Sequence, residues 1–258
     1  LKRAGIKVFY YIPPQVWAGR KWRINTIKKN IDEVLCIFPF EKEMYESYGI
    51  KTHYCGHPLV SQLPDRAARD EFFEKHGLDK NKKLVSIFPG SRVFELKYLM
   101  NVFIKTACVS HAPNLSDNVY NKFLKNSPFK VIKGENQALL SVSDALMLAS
   151  GTVALEACLY QTPMIIAYRG PWLFYLIYLI VRCIKRVSLP NIIADKYIIP
   201  EILQGDVNVH KISYEIEKLL FDNEYRAKNI AELGEVKALL SDKISSEEAA
   251  GVIAEALS

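Results

Sequence analysis

Short apolar runs alternate along the chain with stretches whose apolar side chains recur at helical spacing, and this alternation predicts a parallel sheet flanked by helices. Continuous runs predict strands at Lys7–Ile12, Glu33–Phe38, Thr52–Cys55, Leu84–Phe88, Ala107–Ser110, Phe129–Ile132, Ala145–Leu148 and Met164–Tyr168. The strongest helical stripe runs from Val93 to Thr106, where Leu96, Leu99, Met100 and Phe103 repeat at i, i+3, i+4 and i+7 and are assigned to the core. Gly56, Pro58 and Pro64 interrupt the pattern ahead of a charged helix over Asp65–His76 and set a boundary near Ser61–Asp65. The expected division is an α/β unit over 1–63, a fuller α/β domain over 64–210, and charged helices over 211–258, the last being Ala-rich from Ser246 to Leu257.

One run fits neither period. Trp172–Val181 is apolar without interruption, rich in aromatic residues, and followed by Arg182, Lys185 and Arg186. It is too short to cross a bilayer, which takes a helix of about 20 residues. It reads either as a buried helix or as an interfacial segment. In the second case Trp172, Phe174 and Tyr175 would rest at headgroup depth while the following cations meet anionic lipid.

The composition keeps these readings within a folded globular protein: of 258 residues, half are hydrophobic and 24% are charged. The net charge of +6 favours anionic partners, phosphates or acidic lipid surfaces. Nucleic acid is not an expected partner, because no binding motif appears and Arg20, Lys21, Arg23, Lys28 and Lys29 read as the solvated side of one helix. The cysteines, Cys36, Cys55, Cys108, Cys158 and Cys183, are odd in number and scattered without a Cys-x-x-Cys pair, as expected for reduced cytosolic thiols. Alternation would put His53, Cys55 and His57 on one strand face, but with no fourth ligand evident no metal is expected. The first residues carry no secretory leader pattern.

Candidate chemistry lies where strands run into helices. The strand ending at Ala149 leads through Ser150-Gly151-Thr152 into a helix carrying Glu156. Unpaired N–H groups at a helix start attract a phosphate, and side chains lean towards the helix N-terminus, which aims Glu156 at the mouth, where a ribose diol would suit it. A capping box would need Ser or Thr three residues before the Glu, and that position is Val153; Thr152 can still cap the helix. Phe88-Pro89-Gly90-Ser91-Arg92 forms a second such turn, in which Gly90 permits a tight bend, Ser91 can cap or donate to a phosphate, and Arg92 offers a forked cation. Both turns would lie at the carboxyl ends of parallel strands, the side on which such sheets bind ligands. A third element, Ser188-Leu189-Pro190-Asn191 with Ile199-Pro200-Glu201-Ile202-Leu203-Gln204, reads as loop. Asn191 could donate to a diphosphate oxygen and Gln204 could read a hydroxyl or carbonyl.

Together these motifs resemble lipid-A-disaccharide synthase, a glycosyltransferase of the two-domain GT-B type, and Val16-Trp17-Ala18, Phe38-Pro39-Phe40-Glu41 and Gly56-His57-Pro58-Leu59 resemble that family's upstream motifs in the same order. The resemblance covers nearly the whole chain. It implies two Rossmann-like α/β domains, with 1–63 the latter part of an acceptor-side domain, 64–210 the UDP-sugar domain, and 211–258 helices packing back toward the first. The implied reaction joins UDP-2,3-diacylglucosamine to 2,3-diacylglucosamine 1-phosphate, giving lipid A disaccharide 1-phosphate and UDP without a cofactor. Carried over by position, Gly90, Ser91 and the Ser150, Gly151, Thr152 turn cradle phosphate, Glu156 holds the ribose, and Gln204 lines the donor site. Arg92 and Asn191 stabilise the leaving diphosphate.

The resemblance further implies a longer amino-terminal part carrying a Gly-rich turn and the catalytic base, a shortening around Thr106-Ala107-Cys108, and Gly19 where an aromatic is more usual. It also implies a peripheral position on the cytoplasmic face of the inner membrane of a Gram-negative cell, and leaves room for a homo-oligomer. Two other readings stand beside it. One is a non-catalytic fragment that binds UDP or a UDP-sugar. The other is a UDP-sugar epimerase of the same architecture, which would resemble a Ser-Gly-Gly turn with paired glutamates where this chain has Thr152 and the single Glu156.

Overall fold

The structure, a computed structural model, describes residues 1–103, 108–111, 130–171, 186–240 and 243–257. The chain divides into two compact units at Leu63 and Pro64. The tail from Lys237 counts with the first unit, whereas Val209–Phe221 and the larger part of Asn223–Leu240 count with the second, so the stretch 211–258 is shared between them.

In the first unit, β1 (Phe9–Tyr11), β2 (Glu33–Cys36) and β3 (Lys51–Tyr54) form a parallel sheet in chain order. Helix Arg23–Asn30 starts later than the charge pattern suggested, and Arg20 and Lys21 precede it. Helix Pro39–Ser47 opens with Pro39 in its first turn, where a missing N–H costs nothing, and Glu41 accepts the Phe38 N–H at 3.3 Å. The other oxygen of Glu41 accepts the Trp17 indole N–H at 3.0 Å, both groups being buried. The three residues that alternation would align each have their own partner: His53 lies 2.7 Å from Glu33, Cys55 packs with Leu35 and Ala249, and His57 Nδ1 accepts the Leu59 N–H.

Glu33 is only 3% exposed and gathers Lys7 at 2.8 Å, Lys51 at 3.0 Å and His53 at 2.7 Å. Burial alone would raise its pKa, but the hydrogen bonds to Lys7, Lys51 and His53 outweigh it and draw it down to about 2 from 4.5. A carboxyl with a depressed folded pKa contributes stability that is complete above its unfolded value and lost as pH falls through the folded one. Acid unfolding followed by circular dichroism should therefore show Glu33→Gln flattening the stability curve between about pH 4.5 and 2. The stabilisation removed at neutral pH is on the order of 2–3 kcal/mol. An unchanged acid limb would refute it.

The second unit holds β4 (Val85–Phe88), β5 (Cys108–His111), β6 (Val131–Lys133), β7 (Ala145–Ala149), β8 (Met164–Tyr168) and β9 (Glu201–Leu203), all parallel, in the spatial order β6-β5-β4-β7-β8-β9. Strand β9 and helix Leu189–Ile193 stand where the sequence pattern suggested loops. Every residue of β7 is buried, as a strand covered by helices on both faces requires. One face packs Ala145, Met147 and Ala149 against Leu96, Leu99, Met100 and Phe103 of helix Val93–Phe103, and against Ile212, Ile216 and Leu219 of helix Val209–Phe221. Each of those large side chains contributes roughly 1.5–3 kcal/mol by leaving water. This is the predicted stripe, in the predicted place.

Candidate functional site

The strand order reverses between β4 and β7, which pair from Val85–Ala145 to Phe88–Leu148. At such a reversal the connections leave to opposite faces and open a crevice beyond the carboxyl ends of the strands. A cavity of about 670 Å³ occupies it, lined by the turn after β4, the turn after β7, Asn136 and the side chains of Glu95 and Glu156.

The turn after β7 is the simpler half. The Ala154 N–H reaches the Gly151 carbonyl at 3.3 Å and the Leu155 N–H the Thr152 carbonyl at 2.9 Å. The N–H groups of Gly151, Thr152 and Val153, one step earlier, bond to no described carbonyl. Thr152 stands at the N-cap without a side-chain cap, and the Ser150 hydroxyl donates to the Val187 carbonyl at 3.3 Å. Gly151 has an ordinary backbone angle, and a Cβ added there would meet nothing within 4 Å. Only something entering the cavity would notice the methyl. Glu156 is half-buried, its carboxylate has no partner among the described residues, and burial raises its pKa.

The turn after β4 has a feature the sequence reading missed. Glu95, 5% exposed, turns back so that one carboxylate oxygen accepts the Ser91 N–H at 3.0 Å and the Arg92 N–H at 3.2 Å. Its other oxygen lies 3.5 Å from the Arg92 guanidinium, which is 71% exposed. Gly90 has φ +103°, and a Cβ there would stand 2.0 Å from the Glu95 carboxylate. Gly90 is therefore required by Glu95 as well as by the bend, and the N–H groups of Ser91 and Arg92 are already taken. The Arg92 side chain still reaches outward. The signal was present in the sequence: an acidic residue in the first turn of a helix, close behind Gly-Ser-Arg, can satisfy the N–H groups ahead of it.

Two expected site residues lie elsewhere. Asn191 is 0% exposed: its amide NH₂ donates to the Ile199 carbonyl and Glu201, both at 2.9 Å, and its oxygen accepts the N–H groups of Ile198 at 2.8 Å and Ile199 at 3.0 Å. That uses every donor and acceptor of the amide, so none is left for a diphosphate oxygen. Glu201 continues the lattice, accepting the Ser188 N–H at 2.8 Å and hydroxyl at 2.7 Å. Gln204, at φ +51°, accepts the Gly170 N–H at 3.4 Å and is not among the residues lining the cavity. Trp172, Phe174 and Tyr175 lie outside the described residues.

The family model described as lipid-A-disaccharide synthetase matches residues 1–256. Lipid-A-disaccharide synthase of Anaeromyxobacter dehalogenans (strain 2CP-1 / ATCC BAA-258) is 34% identical over 257 residues, 94% of this chain and 67% of that one. The enzyme of Geobacter sulfurreducens is 34% identical over 270 residues, 99% and 70% of the two chains. The chain thus spans about two thirds of the length of these relatives. Among solved structures, sucrose-phosphate synthase from Thermosynechococcus elongatus has TM-score 0.54 at 15% identity, over 95% of this chain and 64% of that one. UDP-GlcNAc 2-epimerase from Methanocaldococcus jannaschii has TM-score 0.52 at 16% identity, over 86% and 65%. At such identities the likeness concerns fold alone, the GT-B arrangement of Rossmann-like α/β units, and lends the epimerase reading nothing further. By the family match and the curated relatives, the chain belongs to the lipid-A-disaccharide synthase family, the glycosyltransferases of lipid A biosynthesis.

Proposed function

We propose that the cavity at the strand reversal is the UDP end of the donor site, in a chain that transfers a diacylated glucosamine from UDP to a diacylated glucosamine 1-phosphate. The observation that carries this is one cavity lined by a half-buried Glu156 carboxylate with no partner among the described residues, by a turn whose N–H groups bond to no described carbonyl, and by an outward Arg92. The three features suit three parts of one ligand. Glu156 accepts from the ribose diol, the Gly151–Val153 N–H groups meet phosphate oxygens, and Arg92 exchanges Glu95 for the diphosphate. Charge accumulates on the diphosphate as the sugar leaves, and oriented N–H groups with an arginine stabilise it without a metal. The lipid portions of donor and acceptor call for work at the membrane surface. No described helix is long and apolar enough to cross one, which suits a peripheral position on the cytoplasmic face of a Gram-negative inner membrane.

Calorimetric titration with UDP tests the site. Glu156→Ala should weaken binding roughly 30-fold and Arg92→Ala roughly 10-fold, the scale of charge-assisted hydrogen bonds. Gly151→Ala should leave the melting temperature unchanged and still weaken UDP, because its methyl has room in the empty cavity. Equal binding by all three variants would refute the assignment.

A further inference from the structure

The first unit contains a cavity of its own, about 330 Å³, opening where the chain leaves the carboxyl end of β1. Its wall is the turn Pro14–Gly19, and the charged side chains of the described residues that line it are Arg20 and Arg23. No acidic residue joins them. The wall is braced from behind: the Tyr45 hydroxyl donates to the Pro14 carbonyl at 3.2 Å, and the buried Trp17 is held by Glu41.

The two arginines differ from most others described. Arg69 meets Asp144, Arg92 meets Glu95, Arg186 meets Asp195, and Arg66 and Arg226 are held by backbone carbonyls. Arg20 and Arg23 make no ion pair with any described residue, although they stand three positions apart and line the same concave wall. Two forked cations brought together without an anion repel each other, and a cavity shaped around them is stabilised by an anion with several oxygens.

We propose that this cavity binds a phosphomonoester. It has about half the volume of the nucleotide cavity and no carboxylate to read a ribose, so a nucleoside diphosphate is the poorer fit. The guanidinium groups of Arg20 and Arg23 meet the terminal phosphate oxygens, with the Gln15 amide at the rim. The phosphate has two sources of the same chemistry, a sugar 1-phosphate or a lipid headgroup. The first rests on the transfer reaction proposed above, whose acceptor carries one phosphomonoester.

The test is calorimetry of the whole chain with glucosamine 1-phosphate, run beside UDP, and flotation with phosphatidylcholine vesicles containing or lacking phosphatidic acid. Arg20→Gln/Arg23→Gln should weaken the phosphomonoester at least about 10-fold and leave UDP unchanged, whereas the charge-matched Lys28→Gln/Lys29→Gln should weaken neither. Loss of the sugar phosphate identifies the first source, and loss of phosphatidic acid vesicles alone identifies the second. Equal losses in both double variants, or none in the arginine variant, would overturn the site. Should the double variant fail to fold, the exposed Arg20→Gln carries the same comparison. Absence of UDP binding to the unaltered chain would strike the donor-site reading and leave this one standing.

Discussion

Asn191→Ala is expected to destabilise the second unit by about 3–5 kcal/mol, lowering its melting temperature by roughly 10 °C. The substitution strands the N–H groups of Ile198 and Ile199 and the Ile199 carbonyl, and takes a donor from Glu201, at a position with no exposure. Each unsatisfied buried group costs about 1–3 kcal/mol. Those groups hold the segment leading into β9, the edge strand that pairs with β8, so the loss is felt as fraying of that edge. Differential scanning calorimetry distinguishes this from a ligand role. A variant that melts with the parent yet fails to bind UDP would return Asn191 to the donor site.

The second large effect concerns Gly90→Ala. A methyl at φ +103° and 2.0 Å from the Glu95 carboxylate forces the carboxylate away and releases the N–H groups of Ser91 and Arg92. Hydrogen bonds to a charged group are worth about 1.5–3 kcal/mol each, and the strained backbone adds about 1–3 kcal/mol. UDP affinity should fall by up to about 10-fold, the loss expected on removing Arg92 itself, because Arg92 loses the brace that sets its direction. The two positions should also be coupled. In a Glu95→Ala background the methyl has no carboxylate to strike, so Gly90→Ala should cost at least about 1 kcal/mol less than in the parent. Equal costs in both backgrounds, read from UDP titration and chemical denaturation, would show that Gly90 answers to the bend alone.

These residues show where a sequence is legible and where it is not. The central strands and the helix carrying Leu96, Leu99, Met100 and Phe103 were readable because burial on a repeating face leaves a periodic trace. Strand β9 left none, since it is three residues long, follows Pro200 and begins with Glu201, whose carboxylate serves the neighbouring segment. Asn191 and Glu95 are the same difficulty seen from opposite sides. A buried polar side chain answers to groups brought near only by folding, so Asn191 looked like a ligand contact, and Glu95 looked like an ordinary first-turn acid. Likewise helix onset was placed too early, so Arg20 was counted on the helix when it precedes it and shares a concave wall with Arg23. For Gly151 the chain itself gives no demand: a Cβ there would meet nothing within 4 Å, which no sequence pattern reveals.

The reversal between β4 and β7 also bears on how the unit comes together and apart. Strand β4 finds β5 soon after it is made, Ser86 beside Cys108, but must wait for β7, Ser86 beside Leu146, before its other edge is covered. Contacts so distant along the chain form late and set the pace of assembly. That distant seam is also the one the cavity straddles, with one turn contributed by each half. A nucleotide bound there as proposed would touch a turn from each half and act as a clasp across the joint of longest chain separation.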